Sequence, residues 1–369
     1  MLVEQSFTAF RCACHFCMGQ SDEGLTVSGE RTYYVPDPPT IPAPPGSTAT
    51  TAPPEEPGYT GPRFRTLIRG DDWNGVQVGT PVLIPYTFAA RALFNYAFEG
   101  APARPGFDLT SGQPLAASQR ASIRQALDLW EQVSGITFVE VPDTEDWLFG
   151  GIRFSMESVE KEGVYGLAYS YGEPYGANVV FNRLFYANDT LQRGSDGFWT
   201  ALHEIGHAIG LKHPFDGDPV LKKSEDNNKS TVMAYVDKGN HSNLGPFDVA
   251  AAQFLYGTRE AAATAAIRWT RGADGSLVTS GDDGANIISG LEIRDVVHGR
   301  GGGDLIRTHG GNDHVVAGGG DDAVFGGAGF DALQVASLRR QSSVAVGDGK
   351  GTVAGPDGMD TYYEVEALR

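Results

Sequence analysis

Residues 199–214 read W-T-A-L-H-E-I-G-H-A-I-G-L-K-H-P and hold three histidines, His203, His207 and His213, with Glu204 directly after the first and Gly210 between the last two. Two imidazoles four residues apart project from one face of a helix and can share one tetrahedral ion. A helix continued through 213 would carry the third imidazole to a different bearing. Gly210 removes that difficulty, because glycine accepts the left-handed conformation that ends a helix and turns the chain back. His213 then reaches the same ion from a second side. Glu204 is badly placed to ligate and well placed to take a proton from a water at the ion. The bland alternative is a core helix that carries histidines by accident. Five motif positions matched at fixed offsets argue against it. The expectation is a zinc site made by His203, His207 and His213, with one open position and Glu204 beside it as general base.

Several elements must hold these groups in place. Ser195 and Asp196 offer capping oxygens ahead of the histidine helix, and Leu202, Ile205, Ala208 and Ile209 give it an apolar face. Upstream, Ile123, Ala126, Leu127, Trp130 and Val133 lie at helical spacing over 117–134, with Gly135 as the stop. Residues 82–88, 136–141 and 152–156 read as strands, and 167–182 as one or two strands joined by a turn. A last helix is expected from 246 through 255, closing at Gly257. This order implies an α+β domain over 63–258, a mixed sheet with flanking helices. Ahead of it, 1–34 reads as a leader and 35–62 as a linker rich in proline, threonine and alanine.

From Gly281 the composition turns to glycine and aspartate. Asp295, Asp304, Asp313, Asp322 and Asp331 recur at every ninth residue, and Asn286 extends the series backwards. Two residues after each stands an apolar side chain: Ile288, Val297, Ile306, Val315, Val324 and Leu333. Two before stands Gly284, Gly302, Gly311, Gly320 or Gly329, with Ile293 the single break. This is the nonapeptide of an all-β parallel β-roll, assigned to 259–369. The glycines make tight turns, the apolar residues point between the layers, and the aspartates line up to chelate calcium. Stacked carboxylates repel one another without the ion, so folding is expected to depend on it. A flexible glycine-rich tail would not keep six apolar residues in phase. A nucleotide loop at 299–303 lacks the strand-then-helix context it needs.

With 369 residues, 41% hydrophobic content and a formal charge of −18, the chain is long enough for two domains, and its acidity argues against nucleic acid and anionic membranes as partners. No apolar run approaches a membrane span. Glu4 and Arg11 spoil an N-terminal signal peptide, so export is expected to use another route. Cys12, Cys14 and Cys17 all lie in the leader, away from the segments expected to fold, so disulfides are not expected to hold the protein together.

The stretch from His203 to His213, followed by Met233 in a tight turn and then Tyr235, resembles the metzincin metallopeptidases. The glycine–aspartate repeats narrow the likeness to the serralysin family of secreted bacterial proteases, over roughly residues 59–369. Residues 119–141 look like that family's first long helix and following strand, and 247–257 like its closing helix. The resemblance implies that His203, His207 and His213 ligate zinc, that Tyr235 is a further, displaceable ligand, and that Met233 forms an apolar floor beneath the metal. It implies calcium at Asp304, Asp313, Asp322 and Asp331 with the turn glycines Gly302, Gly311, Gly320 and Gly329. The implied activity is endopeptidase action on proteins and peptides by an extracellular monomer exported through type I secretion machinery. Residues 364–369 read as the lead-in to a further repeat block where members carry the secretion signal. The cysteines are foreign to the pattern. As in the related matrix metalloproteinases, a leader thiolate at the open zinc position would give a zymogen; the alternative is a leader with no such role. A calcium-dependent surface module with a vestigial protease domain is the reading from another class. Peptide hydrolysis separates the two. An extended substrate is expected along the strand edge at 166–171.

Overall fold

The computed structural model of the chain describes residues 61–68, 78–90, 107–143, 151–159, 163–170, 177–334, 343–347 and 350–369; the expected leader, the proline-rich tract, the three cysteines and Tyr171 lie outside them. The first half is built on a six-stranded sheet of β1 (Val82–Phe88), β2 (Phe107–Gln113), β3 (Ile136–Glu140), β4 (Ile152–Val159), β5 (Gly166–Ser170) and β6 (Ala177–Asn182). Its order is β3-β1-β4-β6-β5, with β2 paired antiparallel to the later part of β4. β3, β1, β4 and β6 run parallel, and β5 returns antiparallel along the edge. The central β4 is buried along its whole length, as a strand covered on both faces must be.

Four helices bear on the site: α1 (Ala117–Val133), α2 (Arg183–Tyr186), α3 (Asp196–Ala208) and α4 (Pro246–Tyr256). The Gln119 side chain reaches back to accept from the Ala116 N–H at 2.8 Å and closes the first turn of α1. At the other end the chain turns at Gly135, where a Cβ would stand 2.1 Å from the Tyr256 carbonyl oxygen; only glycine lets α4 close over this corner. Trp130 of α1 donates its indole N–H to the Leu202 carbonyl of α3 at 3.3 Å, and Tyr256 of α4 donates to the Ile209 carbonyl at 2.7 Å. Trp130, Phe138, Phe154, Phe181, Ile205, Met233 and Tyr256 meet in one buried core, which pins α3 between the sheet and the other helices. No helix among the described residues is long and apolar enough to cross a membrane.

Beyond Arg268 the chain coils. One sheet stacks Leu277–Ser280, Asp295–His298, His314–Val316 and Ala332–Gln334, and another stacks Ile287–Ser289, Leu305–Arg307 and Ala323–Phe325, all parallel. Each strand pairs with the one 18 residues on, as Ile288 with Ile306 and Ile306 with Val324. The nine-residue period is therefore half a circuit. Ile288, Ile306 and Val324 from one sheet and Val297, Val315 and Leu333 from the other fill the space between them. A hairpin, Ser343–Gly347 with Lys350–Gly355, then leads into Gly358–Tyr363, which pairs with Ala323–Phe325.

The single break in the glycine series has a physical reason. In the later turns a side chain would strike the turn above: a Cβ on Gly320 would stand 2.2 Å from the Gly302 carbonyl oxygen, and one on Gly311 the same distance from that of Ile293. Ile293 belongs to the first turn on its side, preceded by the antiparallel hairpin of Arg268–Arg271 and Leu277–Ser280. It packs instead with Leu83, Trp269 and Leu291 against Val139, Val141 and Leu277, where the coil abuts the β3 end of the six-stranded sheet.

Candidate metal centre

Ser195 caps α3 by accepting from the Phe198 N–H at 3.2 Å. The helix ends as the glycine requires. Gly210 has φ +94°, its N–H donates to the His207 carbonyl at 3.1 Å, and the Leu211 N–H donates to the Gly206 carbonyl at 2.9 Å. These two bonds are the paired closure of a Schellman turn. The Lys212 N–H then bonds the Leu67 carbonyl at 2.8 Å, which fixes the direction in which the chain leaves.

The turn brings His213 back onto the helix. Its Nε2 lies 3.2 Å from Nε2 of His203 and 3.0 Å from Nε2 of His207, and all three rings are buried. Each Nδ1 is committed elsewhere: His203 to the Val232 carbonyl at 2.8 Å, His207 to the Leu211 carbonyl at 2.8 Å, and His213 to Asp216 Oδ2 at 2.7 Å. Carbonyl oxygens only accept, so the first two rings carry their protons on Nδ1, and the Asp216 carboxylate favours the same tautomer for the third. Three Nε2 lone pairs thus face one another in a buried space. That is unfavourable for bare nitrogens and suited to a cation. Tetrahedral zinc at about 2.0–2.1 Å from each nitrogen sets them about 3.3 Å apart, close to what is observed. The Tyr235 hydroxyl lies 3.0 Å from Nε2 of His213, at the same centre.

Beneath the histidines, Met233 is fully buried against Gly206, where a Cβ would stand 2.4 Å from its sulfur. The glycine inside the helix is the space the methionine occupies. The turn that presents Met233 is anchored by Asp248 of α4, which accepts from Thr231 Oγ1 at 2.5 Å, the Val232 N–H at 2.8 Å and the Gly245 N–H at 2.7 Å. Complete burial pushes its carboxyl up to about 7 despite these donors. The same Val232 peptide takes the His203 and Trp199 ring N–H groups on its carbonyl. Asp248 is therefore linked to the first histidine through one peptide unit.

Glu204 is fully buried where α3 passes under the start of β5. A Cβ on Gly166 would stand 2.8 Å from Glu204 Oε1 and 2.8 Å from the Thr200 methyl, so β5 crosses the helix at backbone distance. Since β5 is the edge strand, one line of its backbone groups faces away from the sheet.

The residues picked out by the repeat stack as well. Asp304, Asp313 and Asp331 each accept, on Oδ1, the N–H of the residue 18 positions earlier, at 2.8–2.9 Å, and Asp322 does the same for Asp304. On each of Asp304, Asp313, Asp322 and Asp331 the Oδ2 is buried without a hydrogen-bond partner among the described residues, as is Oδ1 of Asp295. Burial raises all five carboxyls, Asp295 to about 8 and Asp304 and Asp313 to about 6. Gly302, Gly311, Gly320 and Gly329 all have positive φ.

The matrixin family (Peptidase_M10) matches residues 108–257, the stretch that contains the three histidines, Glu204, Met233 and Tyr235. Serralysin of Proteus mirabilis is 30% identical over 217 residues, 50% of this chain and 42% of that protein. Over this stretch the chain is similar to the serralysin-type metzincins. Serralysin of Photorhabdus laumondii is 30% identical over 190 residues, 44% of this chain and 38% of that protein, and metalloprotease AprA of Pseudomonas entomophila 25% over 236, 56% and 46%. The chain matches less than half the length of these serralysin-type relatives.

Sequence reasoning missed several residues of the histidine cluster's surroundings and of the aspartate stack. Asp216 and Asp248 are ordinary acids until the fold places them. Asp360 continues the stack by accepting from the Asp322 N–H at 3.3 Å, and Glu366 accepts from the Asp331 N–H at 2.7 Å. Gly358, Asp360 and Tyr362 repeat the glycine, aspartate and apolar spacing, but the inserted hairpin puts them out of phase with the nine-residue count. A search for that triplet without a fixed period would have found them.

Proposed function

We propose that the chain is a secreted zinc-dependent endopeptidase with a calcium-stabilised C-terminal β-roll. The observation that carries the peptidase reading is the convergence of three Nε2 atoms, each oriented by a partner on its Nδ1, next to a buried glutamate and under an edge strand. His203, His207 and His213 would hold a zinc ion, which would polarise the scissile carbonyl and lower the pKa of the attacking water. Glu204 takes the proton of that water and returns it to the leaving amine. Tyr235, with its hydroxyl at the cluster, is placed to move aside and donate a hydrogen bond to the developing oxyanion. The extended substrate adds to β5. The Tyr165 carbonyl accepts from the Asn182 N–H, so by strand alternation Gly166, Ala168 and Ser170 turn their backbone groups outward to the substrate.

The orphaned, buried oxygens of the stacked aspartates support calcium in the roll, because hard oxygen donors repeated at fixed spacing suit that ion and leave the apo coil with unmet charge. On this reading the protein acts outside the cell on proteins and peptides. Casein zymography with and without a zinc chelator, alongside metal content by mass spectrometry, tests it. One zinc and several calciums per chain are expected, with chelator-sensitive clearing. A zinc-loaded chain that clears nothing would leave only the calcium module.

A further inference from the structure

We propose that Phe215 is the wall of a substrate side-chain subsite beside the metal, and that it selects peptides with a large apolar or aromatic residue next to the cleaved bond. This rests on the peptidase reading above. Phe215 lies two residues past His213, and its ring stacks on that imidazole with centroids 4.9 Å apart and planes 6° apart. Its edge meets Tyr235 at 4.9 Å and 63°. Tyr235 in turn packs on His213 at 4.7 Å. The three rings form one cluster, of which His213 is fully buried and Phe215 is 39% exposed.

A phenylalanine that served only to pack the imidazole would gain by being covered. This one gives one face to His213 and keeps a substantial part of its surface open at the rim of the metal centre. A peptide carbonyl that reaches an ion at the three Nε2 atoms must run within a few ångströms of both His213 and Tyr235, since the Tyr235 hydroxyl is 3.0 Å from Nε2 of His213. A side chain on either side of that carbonyl therefore passes the Phe215 ring. An apolar one gains by covering it, and an aromatic one also gains the offset or edge-to-face contact that rings prefer. A charged or small side chain gains neither.

The experiment compares the zinc- and calcium-loaded wild type with Phe215→Leu and Phe215→Ala on a peptide series. The series carries Phe, Leu, Ala or Asp at each position flanking one scissile bond. Zinc content and the melting temperature of each variant are measured in parallel. The wild type is expected to favour Phe or Leu at one flanking position. Phe215→Ala should lower kcat/KM for those peptides between about three- and tenfold while leaving the Ala and Asp peptides unchanged, and Phe215→Leu should lower it for the Phe peptide only. The change should fall mainly in KM, with zinc content unaltered. A uniform loss across all peptides, or loss of zinc, means that Phe215 acts only by packing His213 and Tyr235, and overturns the proposal. An unchanged profile overturns it too. A wild type that cleaves no peptide fails at the earlier step and rejects the peptidase reading itself.

Discussion

Glu204 and Gly166 make one unit, because the carboxylate occupies the room that the missing side chain leaves. Glu204→Ala should keep its zinc, since the three nitrogens and their partners are untouched, yet lose about 3 to 6 kcal/mol of transition-state stabilisation. Single-turnover assays on metal-loaded protein check this, and near-normal turnover would remove Glu204 from the role of base. Gly166→Ala acts on the same carboxylate from the other side: its Cβ would stand 2.8 Å from Oε1. Either β5 lifts or Glu204 shifts, and the expected result is a fall in kcat of about ten- to a hundredfold at full zinc occupancy. Equal kcat in the two proteins would show that the strand adjusts at no cost. The histidines, Glu204 and Gly210 were legible from the sequence because their chemistry demands fixed offsets along one helix and its bend. Asp216 was not, because its role exists only once His213 has been brought round to meet it.

The metal centre is shared among elements: α3 supplies two histidines, the turn after it the third, and the Met233 turn holds the first ring from behind. Asp248 on α4 ties that turn down. Asp248→Ala would strand the Val232 and Gly245 N–H groups and the Thr231 hydroxyl in the interior, at a cost of about 3 kcal/mol or more. Urea melts should show that loss, and zinc should exchange faster to a competing chelator because Val232 no longer holds His203 in place. Unchanged zinc exchange in a destabilised variant would uncouple the two. Elements with strong periodicity were readable in advance: β1 at 82–88, α1 with its stop before Gly135, and α4 closing at Gly257. β2 was not, because the alternation of Phe107 and Leu109 lapses at once into the polar run at 110–113, and the strand exists by pairing with β4. The short α2 and the inserted hairpin escaped for the same kind of reason: tertiary pairing, and no local pattern, decides them.

At the scale of the molecule, the proposed calcium would compete with protons for the stacked carboxylates. Burial holds Asp295 at about 8, Asp304 and Asp313 at about 6 and Asp360 at about 7, all above the ordinary value of 3.8. A carboxyl whose folded pKa is raised keeps more protons folded than unfolded. Its contribution is fully present below the unfolded pKa and is lost as pH rises through the folded one. The calcium-free coil should therefore be more stable near pH 5 than near pH 8, and calcium should reverse the order at pH 8. Hydrogen exchange of amides in 295–334, with and without chelator at the two pH values, measures this. Greater protection at pH 8 in chelator would mean that the carboxylates are satisfied without an ion.

Ile293 and its neighbours join the first rung of the coil to the sheet through Val139, Val141 and Leu277, whereas the later rungs pair with adjacent rungs of the coil. That rung is held from the sheet side as well as by its neighbours in the coil. If calcium is withdrawn gradually, the rungs nearest β3 should be the last to let go. The six-stranded sheet and its histidine cluster would thereby be buffered from the first losses of the proposed ion.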